Sequence, residues 1–226
     1  HLSKFFNKNL SKIPFTIKAF CCIIIGIEDK GDSLMEKKVI VETSARHIHL
    51  TKADIETLFG KGKTLTVRNM LSQPGQFASE ERVDIVGPKN TIKNVLILGP
   101  ERKATQVEVS LTDTRTLGIK APVRESGDIK DSTPITLVGP AGQLQLKEGV
   151  IVAKRHLHLT PEDARDWDIK NGEVVMLRID NERGLIFDNV VARVSPDYAT
   201  AVHLDTDEAN AAGCSGEVYG TVIKKQ

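Results

Sequence analysis

Ser44-Ala-Arg-His-Ile-His-Leu-Thr-Lys-Ala-Asp54 recurs 109 residues later as Ala153-Lys-Arg-His-Leu-His-Leu-Thr-Pro-Glu-Asp163, with the arginine, both histidines, a leucine, the threonine and the aspartate retained. A repeat of this length marks two related modules. In each copy a short β-like stretch runs into a helix start. Thr51 and Thr160 suit the N-cap, Asp54 and Asp163 follow three residues on, and Pro161 suits the first helical turn. The histidines therefore stand at the end of a strand. The helices are expected to close near Gly60 and near Asn171-Gly172.

Working outward, short runs of apolar alternation follow in quick succession. Strands are expected near 64–68, 82–86, 93–98, 105–111 and 135–138, and again near 143–146, 173–179, 185–194, 201–204 and 217–223. Gly87-Pro88, Gly99-Pro100, Gly139-Pro140 and Asn181-Glu-Arg-Gly184 punctuate them. So many short strands predict a mainly β fold of two small antiparallel β-barrels, each carrying a short α-helix and built from the internal repeat.

Composition narrows the class. The chain has 226 residues, 40% of them apolar and 27% charged, with a formal net charge of +1. That balance offers no field to recruit nucleic acid or an anionic membrane surface, so neither is expected as a partner. Cys21, Cys22 and Cys214 form no CxxC pair, which fits a reducing compartment such as the bacterial cytoplasm.

Residues 1–34 read apart from the repeat. The apolar run at 19–27 is too short to cross a bilayer, and Glu28-Asp29-Lys30 stands where a signal-peptide cleavage site would need small residues. Met35 opens an ordinary domain start. Residues 1–34 are expected to be a disordered extension, either translated leader or a targeting peptide with a rough stripe of Leu2, Phe5, Phe6 and Leu10.

The chemistry gathers around histidine. Of the six histidines, the five other than His1 fall at His47 and His49, His156 and His158, and His203. Residues i and i+2 of a strand project from one face, so each His-x-His can offer two imidazoles to one metal ion. Zinc is the first expectation for such ligands, with cobalt or nickel acceptable to the same set. His203, opposite in parity to Val202 and Leu204, can complete a three-histidine site, and Glu108 can lend a carboxylate to the other pair. Cys214 is the rival soft ligand near His203. Arg46 and Arg155 point away from the paired histidines and read as structural. Arg102 stands in a turn where a guanidinium can hold an oxyanion by two parallel hydrogen bonds. The loop Ser72-Gln-Pro-Gly-Gln-Phe77 can lean over a ligand or only join strands. Neither a Walker loop nor a Gly-x-Ser-x-Gly elbow is present.

Taken together, Arg46-His-Ile-His-Leu-Thr51, Gln73-Pro-Gly-Gln-Phe77, Gly99-Pro-Glu-Arg102, Thr105-Gln-Val-Glu108 and Arg155-His-Leu-His-Leu-Thr160 resemble the PduL-type phosphate propanoyltransferase (phosphotransacylase) family, from about Val39 to Val222. The resemblance implies one barrel from residues 35–45 plus 153–226 and a second from 46–152, with a two-zinc site at their junction. It implies exchange of acyl-CoA (propanoyl-CoA or acetyl-CoA) and phosphate for acyl phosphate and CoA. His47, His49 and Glu108 would hold one metal, and His156, His158 and His203 the other. Arg102 would contact phosphate, with Ser44 and Asn210 near the CoA arm. Asn69 and Leu96 depart from the basic residues of some relatives, which leaves the hold on the CoA nucleotide open. Homo-oligomerisation and association with microcompartment shell or cargo proteins are further expectations of this resemblance.

Two rivals share the His-x-His feature. A metal-dependent hydrolase built on an eight-fold barrel needs about 250 residues and alternating helices, which this pattern does not supply. A non-catalytic metal-binding microcompartment protein would be expected to carry histidine or cysteine in flexible tracts.

Overall fold

The structure is a computed structural model that describes residues 37–225. The expectations for residues 1–34 lie outside the described residues. The N-terminal half runs through β1 (Lys38–Ser44), β2 (His47–His49), α1 (Lys52–Phe59), β3 (Val67–Met70), β4 (Phe77–Val86) and β5 (Thr91–Gly99). It continues through β6 (Gln106–Glu108), α2 (Leu111–Leu117), β7 (Val123–Arg124), β8 (Thr133–Val138) and β9 (Gln143–Ala153). The repeat then supplies β10 (His156–Leu159) and α3 (Pro161–Asp166), followed by β11 (Val174–Ile179), β12 (Leu185–Val194), β13 (Ala201–Asp205), α4 (Thr206–Ala211) and β14 (Val218–Lys224).

Two six-stranded rings close. One follows the order β1-β13-β10-β12-β11-β14 and returns to β1. The other follows β4-β5-β2-β6-β9-β8 and returns to β4, with β3 and β7 attached outside the ring. The chain thus starts in one barrel, builds the whole of the other, and then returns.

The two rings repeat each other strand for strand. The His-x-His strands β2 and β10 each lie parallel to one neighbour, β5 or β12, and antiparallel to the other, β6 or β13. Pairing is therefore mixed rather than purely antiparallel as expected from sequence. Alternation of side chains reports which residues face inward, but it carries no information about strand direction. Parallel neighbours need a long crossover, which the hairpin of β3 and β4 supplies between β2 and β5.

Parity places the histidines. Ile48 and Leu157, between the paired histidines, point into the two barrel cores and are fully buried. Truncating either to alanine would cost about 2–5 kcal/mol. The flanking histidines are forced to the opposite face.

Each barrel carries two short helices rather than one. The two anticipated N-caps are present, with Thr51 and Thr160 accepting from the amides of Asp54 and Asp163. The two further helices start with the same chemistry. Ser110 with Asp113 and Asp205 with Glu208 form reciprocal capping boxes, so the strand expected over 105–111 stops at Glu108 and turns into α2. The helix after Thr160 also ends sooner than expected, at Asp166, because Asp168 takes a left-handed φ of 50°. The Gly87 and Gly139 turns serve packing as well: a Cβ there would lie 2.4 Å from the carbonyl oxygen of Leu117 or Leu58, at the ends of α2 and α1.

Arg46 and Arg155 have structural partners, again in matched positions. Arg46 Nε donates to Asp113 Oδ1 at 2.9 Å, and Arg155 Nε to Glu208 Oε1 at 2.7 Å. Each arginine beside a histidine pair thus clamps the helix that follows the neighbouring strand. Among the described residues no helix is long and apolar enough to cross a membrane.

Candidate metal centre and its cavity

Strand register assembles two donor triads. His47 lies opposite Glu108 across β2 and β6, and His156 lies opposite His203 across β10 and β13. In each triad, His47, His49 and Glu108 or His156, His158 and His203, the donor atoms fall within 4.8 Å of one another. Cys214, the rival soft ligand, belongs to neither cluster among the described residues, although it lines the same cavity.

The tautomers follow from local backbone. His47 Nδ1 donates to the Ala45 carbonyl at 2.8 Å, and His156 Nδ1 to the Lys154 carbonyl at 2.9 Å. A carbonyl can only accept, so in the neutral form of both rings Nε2 keeps its lone pair. His49 Nδ1, His158 Nδ1 and His203 Nε2 are buried and have no hydrogen-bond partner. Orphaned nitrogens of this kind are costly in a protein interior, and three within two tight clusters fit a bound cation. His47 Nε2 stands 3.5 Å from Glu108 Oε2, longer than a good hydrogen bond. It is close to the ~3.3 Å that separates two donors of one tetrahedral zinc with bonds of about 2.0–2.1 Å. The residues present therefore fit two divalent ions.

Glu108 is held for that task. Ser126 Oγ donates to its Oε1 at 2.8 Å and Gln106 Nε2 at 2.6 Å, which leaves Oε2 facing His47. Gln106 is fixed in turn by the Gly127 amide. Arg102 Nη1 donates to Ser126 Oγ at 3.2 Å, so the arginine and the triad share one network.

Electrostatics separate the two triads. Burial works against a charged His47, but the Glu108 carboxylate outweighs it and leaves the pKa raised above 6.5. Burial also opposes ionisation of Glu108, yet His47 holds its carboxyl well below the usual carboxylate range. His49 is pushed far down by burial and by His47. In the other triad every ring is pushed down: His156 by burial, His158 to about 2 and His203 to about 3 by burial and then by neighbouring imidazoles.

Both triads open on one cavity of about 890 Å³, lined also by Ser44, Leu96, Arg102 and Arg193. Asn210 does not line it and is exposed on α4. The loop at 72–77 bridges the barrels: Gln73 is buried, and its amide donates to the Ala199 carbonyl at 3.0 Å while accepting from the Ala199 amide at 3.3 Å.

Arg193, Tyr198 and Ser126, all on this cavity, escaped sequence reading. Arg193 sits close enough to Arg102, after burial and Glu108, to influence its pKa. Its guanidinium lies 5.9 Å over the Tyr198 ring, which stacks on His158 at 4.0 Å. Ser126, on a loop without strong pattern, had no signal. Arg193 had a faint one, since parity with buried Ala192 turns it away from the core.

Arg102, Arg193 and the two donor triads face one cavity at the barrel junction, a set of groups whose chemistry fits an anion together with divalent metal. The phosphate propanoyltransferase family model matches residues 40–215. A phosphate propanoyltransferase of Listeria monocytogenes is 53% identical over 193 residues, covering 85% of this chain and 91% of the relative. Those of Enterococcus faecalis (50% over 184 residues, 81% and 87% covered) and Salmonella typhimurium (49% over 183 residues, 80% and 87% covered) are similar at the same level. The chain belongs to the phosphate propanoyltransferase family and is thus an acyltransferase.

Proposed function

We propose that the chain interconverts acyl-CoA plus phosphate with acyl phosphate plus CoA, propanoyl-CoA being the first substrate and acetyl-CoA a second, and that it does so with two divalent metal ions, zinc before cobalt or nickel. The observation that carries this reading is the convergence of the two triads with Arg102 and Arg193 on one cavity. His47, His49 and Glu108 would hold one ion and His156, His158 and His203 the other. Ions there would supply Lewis acidity for a carbonyl oxygen and charge compensation for a departing thiolate.

The protein's own groups account for the remaining needs. Arg102 and Arg193 offer donors in forked geometry to a phosphate dianion, and their mutual repulsion is relieved when an anion lies between them. A phosphate oxygen so oriented attacks the thioester carbonyl carbon, the C–S bond breaks, and sulfur leaves with the bonding pair as CoA thiolate. No enzyme nucleophile is required. Ser44, at the cavity wall, and Asn210, outside it, are proposed to meet the CoA arm. Residence in a bacterial microcompartment, with residues 1–34 as its address, is likewise a proposal, and encapsulation of the chain with and without that segment tests it.

The decisive assay mixes propanoyl-CoA with phosphate, with and without chelator. Thiol release that needs both phosphate and metal supports the transferase. Release without phosphate would instead point to a hydrolase. Arg102→Ala is expected to lower kcat/KM for phosphate by about 10²–10³-fold with metal content unchanged; loss of metal would overturn its assigned role.

A further inference from the structure

The two triads differ in charge, and the strand beside each third donor differs in the opposite sense. Beside Glu108, on β9, stands Ile151, fully buried and apolar. Beside His203, at the equivalent place on β1, stands Glu42. Its Oε2 lies 3.5 Å from His203 Nε2, the same separation that His47 Nε2 keeps from Glu108 Oε2. His203 Nε2 is also one of the orphaned nitrogens. Ser72 Oγ, on the loop that bridges the barrels, donates to Glu42 Oε2 at 2.7 Å and holds the carboxylate toward the cavity.

We infer that Glu42 supplies the carboxylate of the three-histidine site, joining the ion on its His203 side, so that each metal is compensated by one carboxylate set one strand apart in the two barrels. This rests on the two-metal reading above. Three neutral imidazoles leave the full charge of a divalent ion uncompensated in a buried site, and Coulomb attraction favours a carboxylate that can reach it. Among the described residues the tight donor cluster contains the three histidines alone, so Glu42 approaches from one side and closes on the ion by side-chain rotation. Ile151 cannot do this in the other barrel, where Glu108 already fills the need.

The test is metal binding by the full chain, measured by equilibrium dialysis with Zn2+ and by the visible absorption of the Co2+ form, for wild type, Glu42→Gln and Ser72→Ala. Wild type is expected to take two ions. Glu42→Gln is expected to lose affinity at one of them by about 10–100-fold and to alter the Co2+ spectrum. Ser72→Ala should move the same site in the same direction by less. The side chain of Glu42 is 23% exposed, and unchanged melting of the metal-free protein confirms that the variant folds. The same loss must appear in a His47→Ala background, where only the three-histidine site remains. Two ions bound by Glu42→Gln with unaltered constants and spectrum would overturn the inference while leaving the two-metal reading intact. A wild-type chain that takes neither ion would remove both.

Discussion

The two halves of the cavity are copies in backbone but not in the charge of their triads. Both use a His-x-His strand with its first histidine paired across to a donor on the antiparallel neighbour. In the central barrel that donor is Glu108, and proton affinity rises at His47. In the other it is His203, and every imidazole of the triad is pushed toward the neutral form. A duplicated framework fixes where donors stand, while one substitution in register decides how tightly each site holds a proton.

The sharpest way to break the comparison is to delete one half at a time. On the two-metal proposal, His47→Ala and His156→Ala should each bind one ion instead of two and each lose at least about 10³-fold in activity. Dialysis against Zn2+ with a parallel assay checks this. Full activity in either single-metal variant would make that half dispensable.

Titration sharpens the contrast further. Metal entering the Glu108 half competes with the proton that Glu108 favours on His47, so its affinity should fall as pH drops through the raised His47 pKa. The three-histidine half, already neutral, should hold its ion to lower pH. Calorimetry in buffers of different ionisation enthalpy reads the proton count directly. The metal-free chain carries the same signature in stability. His158 and His203 bind fewer protons folded than unfolded, so their effect is absent above pH 6.5 and destabilises as pH falls below it, by up to about 1.4 kcal/mol per unit for each ring. His47 acts with the opposite sign: its stabilisation is present below pH 6.5 and is lost as pH rises through its folded pKa.

The paired arginines test the framework itself. Arg46→Ala and Arg155→Ala should each cost about 1–3 kcal/mol, or roughly 2–4 °C of melting temperature per kcal/mol. Arg46→Ala should cost more, since the side chain of its partner Asp113 is 5% exposed against 18% for Glu208. Equal shifts would deny that burial of the partner sets the penalty. The smallest effect is expected from Gln73→Ala, which removes two hydrogen bonds between the barrels. A rise of about 3–10-fold in KM for acyl-CoA with little change in kcat is the expected outcome, because about 1 kcal/mol is at stake.

Much of this was legible in the chain alone. The repeat, its parity and its Thr-x-x-Asp caps are local properties, and local properties set which face a histidine takes and where a helix begins. The helices after Ser110 and Asp205 were legible by the same rule, since each is followed three residues on by an acid. At Ser110 the apolar alternation runs on past the cap and favours continuing the strand to 111, whereas the strand expected over 201–204 stops just short of Asp205. Arg193, Ser126 and Glu42 had no comparable signal: an arginine, a serine and a glutamate on polar faces read as solvated.

What the sequence determined by itself is the inventory: two matched strand ends with paired imidazoles, a nearly balanced charge, and an arginine in a turn. What only the tertiary structure decided is company. Strand direction, the return of β1 to the C-terminal barrel and the register of β6 and β13 bring residues scores of positions apart into one cavity. Those pairings are set by closing two barrels at once, a global condition that no window of sequence contains.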